Sequence, residues 1–227
     1  MKQTTTVKTK TTVKGKGKVK ALAGDMKVYM LLDRSQSMST KWDETLGAIN
    51  GYVEDLAKQN GVKADVTLAI FDHSDGMQFD VIRRAIAPKD WELVQNKEAS
   101  PRGWTPLYDA IGKLVTIVEA DNPKKAVLVI MTDGEENSSK EVTQVSAKAA
   151  LDRCRNKNLQ VVFLGVDFDS FAQASGLGNA TGQTINTSQG SYRAAMGGLA
   201  GSSSAYACSA TPINFSDDDR KKATGKI

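Results

Sequence analysis

The chain has 227 residues, 40% of them hydrophobic and 25% charged, enough for one good core plus tails or at most two small domains. Its formal charge of +4 is local: residues 1–20 hold seven lysines and no acid, and the remainder carries 23 basic against 26 acidic residues, a net −3. Two distant cysteines without a CxxC pattern and a single histidine, His73, argue against a disulfide scaffold, a zinc site and most histidine chemistry, while no apolar run approaches the roughly 18 residues of a membrane span and residues 1–20 lack the apolar segment of a secretory signal.

In chain order, residues 1–20 are rich in Thr, Lys and Gly and read as a low-complexity, solvated arm. Its Thr and Val content would also let it add a strand to a partner, and its lysines suit nucleic-acid phosphates, although it has no aromatic to stack on bases. The apolar run over 26–33 predicts a strand buried on both faces. A helix is expected over 40–59, with Leu46, Ile49, Val53 and Leu56 at helical spacing and Asn60-Gly61 as the stop. A second strand over 66–71, the turn Asp72-His73-Ser74-Asp75-Gly76 and a third strand over 77–86 form an antiparallel hairpin. Asp72 and Asp75 read as turn chemistry rather than cation ligands.

Residues 87–104 look irregular, with a short helix expected at 90–95. Thr105-Pro106 opens a helix, Thr as cap and Pro at the first position, with Leu107, Ile111, Leu114 and Val118 as its buried stripe and Asn122-Pro123 as its end. A continuous apolar strand over 126–131 runs into Thr132-Asp133-Gly134. Ser138 with Glu141 suggests a capping box for a helix reaching about residue 158. A buried strand at 159–166, a short helix at 170–174, a short strand at 184–186 and a Gly- and Ser-weakened helix from 191 follow. Residues 210–227, with acids before bases over 217–222, suit either a short helix or a solvated tail.

Strands alternating with helices predict an α/β fold: a doubly wound, mostly parallel six-stranded sheet with one antiparallel edge strand and helices on both faces. The layout is an arm at 1–20, a domain at 21–205, and a tail or short helix at 206–227. In the commonest doubly wound order the first strand lies beside the fourth, and ligands bind beyond their carboxyl ends. That order brings Asp33 and Asp133 together, with Ser35, Ser37 and Thr105 on adjoining loops. Each residue alone would more often be a cap or a turn. Together, two carboxylates and three hydroxyls are hard donors for Mg²⁺ or Mn²⁺, with Ca²⁺ also admitted, and leave a position open to a partner's carboxylate.

Asp33-x-Ser35-x-Ser37, Gly103-Trp104-Thr105-Pro106-Leu107-Tyr108-Asp109-Ala110-Ile111 and Thr132-Asp133-Gly134 together resemble the von Willebrand factor A (vWA) domain and its metal-ion-dependent adhesion site. Gln36 departs from the Gly that family members often carry there. The resemblance covers about residues 26–200 and implies the Rossmann-like vWA fold. It implies that Ser35 and Ser37 bind the metal directly, that Thr105 does so in the ligand-bound state, and that Asp33 and Asp133 act through waters or hydrogen bonds. It also implies that ligand binding can move the Thr105 loop and the last helix. Arg34, Gln36, Trp104 and Tyr108 are further rim residues, the first two as partner contacts and the aromatics as a wall beside the metal or as core; Glu135 and Glu136 would shape the potential.

The leading functional expectation is a non-enzymatic, metal-dependent protein-binding module that grips an Asp or Glu of a partner. The second is a nucleic-acid-binding or assembly protein acting through residues 1–20. The third, a Mg²⁺-dependent phosphoryl hydrolase, lacks a Walker A sequence, an Asp-x-Asp pair and a nearby base. Likeness to stand-alone bacterial or phage vWA proteins implies a cytoplasmic setting, the host cytoplasm if phage-encoded, and an AAA+ ATPase as one candidate partner.

Overall fold

A computed structural model describes residues 24–225; the arm expected at 1–20 lies outside the described residues. The apolar runs form β1 (Gly24–Asp33), β4 (Ala126–Thr132) and β5 (Gln160–Val166), the last two buried throughout. With β2 (Val62–His73), β3 (Met77–Ile86) and β6 (Thr184–Thr187) they build one six-stranded sheet in the order β3-β2-β1-β4-β5-β6. Every pairing is parallel except β2 with β3. The polar turn after His73 reverses the chain, with Asp75 at φ 56° and Gly76 at φ 105°, so β3 returns beside β2 instead of crossing over.

Burial on both faces follows from the alternation along β1. Val28, Met30 and Leu32 pack with α1 (Trp42–Ala57) and α5 (Tyr192–Ser209). Tyr29 and Leu31 face the other way, toward α2 (Leu107–Asp121) and α3 (Gln144–Asn156). Gly24 lets α5 approach the start of β1 closely, since a Cβ there would lie 2.5 Å from the Ala207 backbone. A short α4 (Phe171–Gly176) and α6 (Asp217–Ala223) complete the chain. α6 has a full capping box between Ser216 and Asp219, and Ile213, Phe215 and Ala223 extend the core. Arg220 donates to the carbonyls of Thr181 and Thr184, at 2.6 and 2.7 Å, along the β6 margin.

Three local expectations are corrected, each by a partner distant in sequence. The helix at 90–95 is a single 3-10 turn at Pro88–Asp90. Beyond it Asn50 of α1 accepts from the Val94 amide and the Trp91 indole and donates to the Val94 carbonyl, which holds the backbone out of helix. Thr105 does not cap α2, because Pro106 occupies the N-cap position with ψ 61°. The amides of Tyr108 and Asp109 are taken instead by Glu136 and the Ser139 hydroxyl. Ser138 and Glu141 form no capping box: α3 starts at Gln144, with Thr143 accepting from the Ser146 amide. The loop before it is claimed by the buried Asp109 carboxylate, which accepts the amides of Lys140, Glu141 and Val142 at 2.7–3.0 Å. The first helix is also shorter than 40–59, being preceded by a 3-10 turn at Gln36–Thr40.

Candidate metal centre

β1 and β4 are neighbours, so their carboxyl ends place Asp33 and Asp133 at one rim of the sheet. Asp33 is fully buried. Its Oδ1 accepts from the Ser35 amide at 2.7 Å and its Oδ2 from the Thr132 hydroxyl at 2.6 Å. Burial pushes the Asp33 carboxyl up to about 6; the bonds from Thr132 and Ser35 pull it down, and the charge of Asp133 adds to the rise. The Ser35 and Ser37 hydroxyls lie 3.1 Å apart, and Ser37 donates to Asp133 Oδ1 at 2.7 Å. A continuous chain of oxygens therefore runs from Ser35 through Ser37 to Asp133.

Thr105 joins this rim by its backbone. The Asn137 side chain accepts from the Thr105 amide, and the Thr105 carbonyl accepts from the Asn137 amide. On the other side the Gly103 carbonyl accepts from the Gln36 amide. The Thr105 loop is thus clamped between the loops bearing Ser35 and Asp133. Its side chain is buried. Four of the five expected residues are thereby brought onto one rim by hydrogen bonds of their side chains, and Thr105 joins the same rim through its backbone.

The residues that sequence reasoning missed are Lys41, Thr132 and Asn137. Lys41 Nζ contacts Asp133 Oδ2 at 2.6 Å, with the Asp133 side chain wholly buried and that of Lys41 17% exposed. The contact spans 92 positions, and no local pattern announces it. Arg34 corrects an expectation: it turns inward rather than toward a partner, pairing with Asp72 and, at 2.7 Å, with Asp80. Asp72 is accordingly an ion-pair residue and not a free turn carboxylate. Gln36 is exposed and donates to Ser39. Trp104, 65% exposed, stands open beside Thr105, whereas Tyr108 is half-buried against the α2–α3 side of the core. Glu136 is committed to amides of α2 and of Ser138 and Ser139.

No group of three or more His, Cys, Asp or Glu residues suited to a metal is present among the described residues. A cation here would rely on two carboxylates and on hydroxyls, and the hydroxyl spacing fits. Two oxygens at right angles on an octahedral ion with bonds near 2.1 Å are about 3 Å apart, close to the 3.1 Å between Ser35 Oγ and Ser37 Oγ. Thr105, buried on the same rim, is the third hydroxyl of the expected set. The donor set is hard and oxygen-only, as Mg²⁺ and Mn²⁺ prefer.

Comparison with known proteins gives the same architecture. The sequence profile of the von Willebrand factor type A domain matches residues 27–196. No curated protein matches the sequence. Among solved structures, the vWF domain of the type V pili tip protein Mfa5 from Porphyromonas gingivalis superposes with a TM-score of 0.62 at 13% identity, covering 80% of this chain and 95% of that one. The manganese-loaded TRAP protein of Plasmodium vivax gives 0.57 at 15% identity, covering 76% of this chain and 72% of that one. The pilus adhesin SpaC from Lactobacillus rhamnosus GG gives 0.61 at 11% identity, covering 81% of this chain but only 30% of that one. At these identities the likeness is one of fold. No helix among the described residues is long and apolar enough to cross a membrane.

Proposed function

Because the chain belongs to the von Willebrand factor type A domain family, we propose that it is a divalent-metal-dependent protein-binding module that grips an acidic side chain of its partner. The observation that carries this reading is the position of the Ser37 hydroxyl, 3.1 Å from Ser35 Oγ and 2.7 Å from Asp133 Oδ1. Those contacts align neutral and anionic oxygens from two strand ends at one point. In this reading Ser35, Ser37 and Thr105 offer hydroxyls to Mg²⁺ or Mn²⁺, and Asp33 and Asp133 act through waters and hydrogen bonds. The ion supplies an electrophilic position that a partner's Asp or Glu can fill.

The protein's own residues do the rest. Thr132 and the Ser35 amide orient Asp33, and Ser37 orients Asp133. The Asn137 and Gly103 bonds hold the backbone of the Thr105 loop at this rim. The exposed indole of Trp104, next in sequence to Thr105, offers the partner an apolar anchor of the kind that dominates interface energies. The role is one of binding rather than catalysis. An AAA+ ATPase is one partner class consistent with it, and the two unpaired cysteines suit a cytoplasmic setting.

The test is a thermal melt of wild type and Asp133→Ala in EDTA and then in Mg²⁺, Mn²⁺ or Ca²⁺. An ion at 100 times its Kd stabilises by about 2.7 kcal/mol, and the shift should appear in wild type and vanish in the variant. An unchanged midpoint with every ion, together with partner capture that survives chelation, would overturn the reading.

A further inference from the structure

Lys41 occupies a singular place. Its backbone is fixed at the junction of the 3-10 turn and α1: its amide donates to the Met38 carbonyl at 3.0 Å, and its carbonyl accepts both the amide and the hydroxyl of Thr45 at 2.9 Å. Only the four-carbon side chain is left to move, and its ammonium lies on Asp133 Oδ2. Ser37 takes the other oxygen of the same carboxylate. The rim therefore carries two carboxylates and one ammonium, a formal charge of −1 rather than the −2 of the acids alone. A divalent ion arriving beside Ser37 meets a tethered positive charge already seated on the neighbouring Asp133 carboxylate.

We propose that Lys41 is a tethered counter-ion that stands in for the metal: it keeps the rim assembled when no ion is bound and raises the ion concentration at which the site fills. This inference rests on the metal reading above. Physically, the ammonium offsets the repulsion between Asp33 and Asp133 and spares the wholly buried Asp133 carboxylate from lacking a cationic partner. It also opposes a second cation by like-charge repulsion, which is strong where water is largely excluded. Once an ion is bound, the displaced ammonium remains within reach of the rim and adds to the attraction felt by an incoming carboxylate.

The experiment is calorimetric titration of the full chain with Mn²⁺ and with Mg²⁺, for wild type, Lys41→Gln, Lys41→Met and Lys41→Arg, beside melts of each in EDTA and in saturating ion. The two neutral variants should bind roughly tenfold tighter than wild type, and Lys41→Arg should stay near wild type. In EDTA the neutral variants should melt below wild type, and saturating ion should close that gap. Affinities equal to wild type, or weaker, in the neutral variants would overturn the counter-ion role while leaving the metal site standing. An equal loss of melting temperature with and without ion would reduce Lys41 to a structural ion pair. Absence of binding in every protein, wild type included, would sink the metal reading itself. If Lys41→Met fails to fold, Lys41→Gln keeps a hydrogen-bonding side chain and carries the same comparison.

Discussion

The Thr132 hydroxyl donates to Asp33 Oδ2 at 2.6 Å, joining the ends of β4 and β1 across 99 positions of sequence. Asp33 has no solvent exposure, so this bond cannot be replaced by bulk water. Thr132→Val keeps the shape and removes the donor. It should cost about 1–3 kcal/mol, the usual penalty for a buried polar group left without its partner, and push the Asp33 carboxyl above its value of about 6. Thr132→Ser should retain most of the stability. Urea unfolding in EDTA measures both, and a Thr132→Val protein as stable as wild type would contradict the assignment.

Arg34 is the second lever on the same loop. Its side chain and that of Asp72 are 7% and 0% exposed. Arg34→Ala should therefore cost about 3 kcal/mol, the low end for a broken buried pair, because Arg102 still approaches Asp72 at 3.4 Å. Removing both charges, as Arg34→Met with Asp72→Leu, should cost less than Arg34→Ala alone. A double variant worse than either single would show that Asp80 or Arg102, and not this pair, organises the cluster.

Gly103 and Gly76 make a matched comparison. Both have positive φ, 69° and 105°, but a Cβ on Gly103 would lie 2.3 Å from the His73 carbonyl oxygen, while nothing lies within 4 Å of one on Gly76. Gly76→Ala should cost about 1–2 kcal/mol from backbone conformation alone. Gly103→Ala should cost more, since it also forces apart the His73–Trp104 bridge, and under the proposed metal reading it should weaken ion binding through the Thr105 loop. Equal midpoints in denaturant for the two variants would refute the steric argument.

Asp121 gives a dependence on pH. Its carboxylate is bonded by Arg84 at 2.5 and 2.9 Å and by the Tyr29 hydroxyl at 2.7 Å. Arg84 foremost, then Tyr29 and Lys27, hold its pKa below the ordinary 3.8, against an opposing contribution from burial. The folded state then binds this proton less readily than the unfolded chain does. The stabilisation is complete above the ordinary aspartate range and is lost as pH falls through the lowered folded value. Asp121→Asn should lower stability near neutrality and flatten the acid limb of the stability curve. An acid limb of unchanged steepness would mean that other carboxylates govern it.

What could be read from sequence was whatever local pattern and layer rules control. Buried strands at β1, β4 and β5 showed as apolar runs, and the polar turn at Asp75-Gly76 announced the antiparallel β3. With that strand counted, the doubly wound order put Asp33 beside Asp133. The failures share a cause. Thr105 and Ser138 carry capping chemistry, but the amides of Tyr108, Asp109 and Glu141 went to Glu136, Ser139 and Asp109, about thirty residues away. Arg34 looked solvent-facing because its partners, Asp72 and Asp80, lie 38 and 46 positions downstream. Lys41 falls inside the helix expected over 40–59 and has no signal of its own, whereas it stands at the N-cap of α1. Side-chain pairing across loops leaves no periodicity behind it, so the rim's charge balance emerges only in three dimensions.

The bonds from Arg220 to Thr181 and Thr184 bear on how open the β6 edge is to another chain. A terminal strand with free carbonyls is a template for strand addition by another chain. The segment over 213–223 covers that edge at and beside β6: the Phe215 amide also donates to the Gly182 carbonyl and the Ser188 amide to that of Ala223. At the opposite margin β3 is protected differently, by charged Asp80, Arg83 and Arg84 along its length. The sheet is therefore sealed on one side by a strap and on the other by charge. Clipping the chain after α5 would convert β6 into an adhesive margin, and the shortened protein would aggregate rather than merely lose a helix.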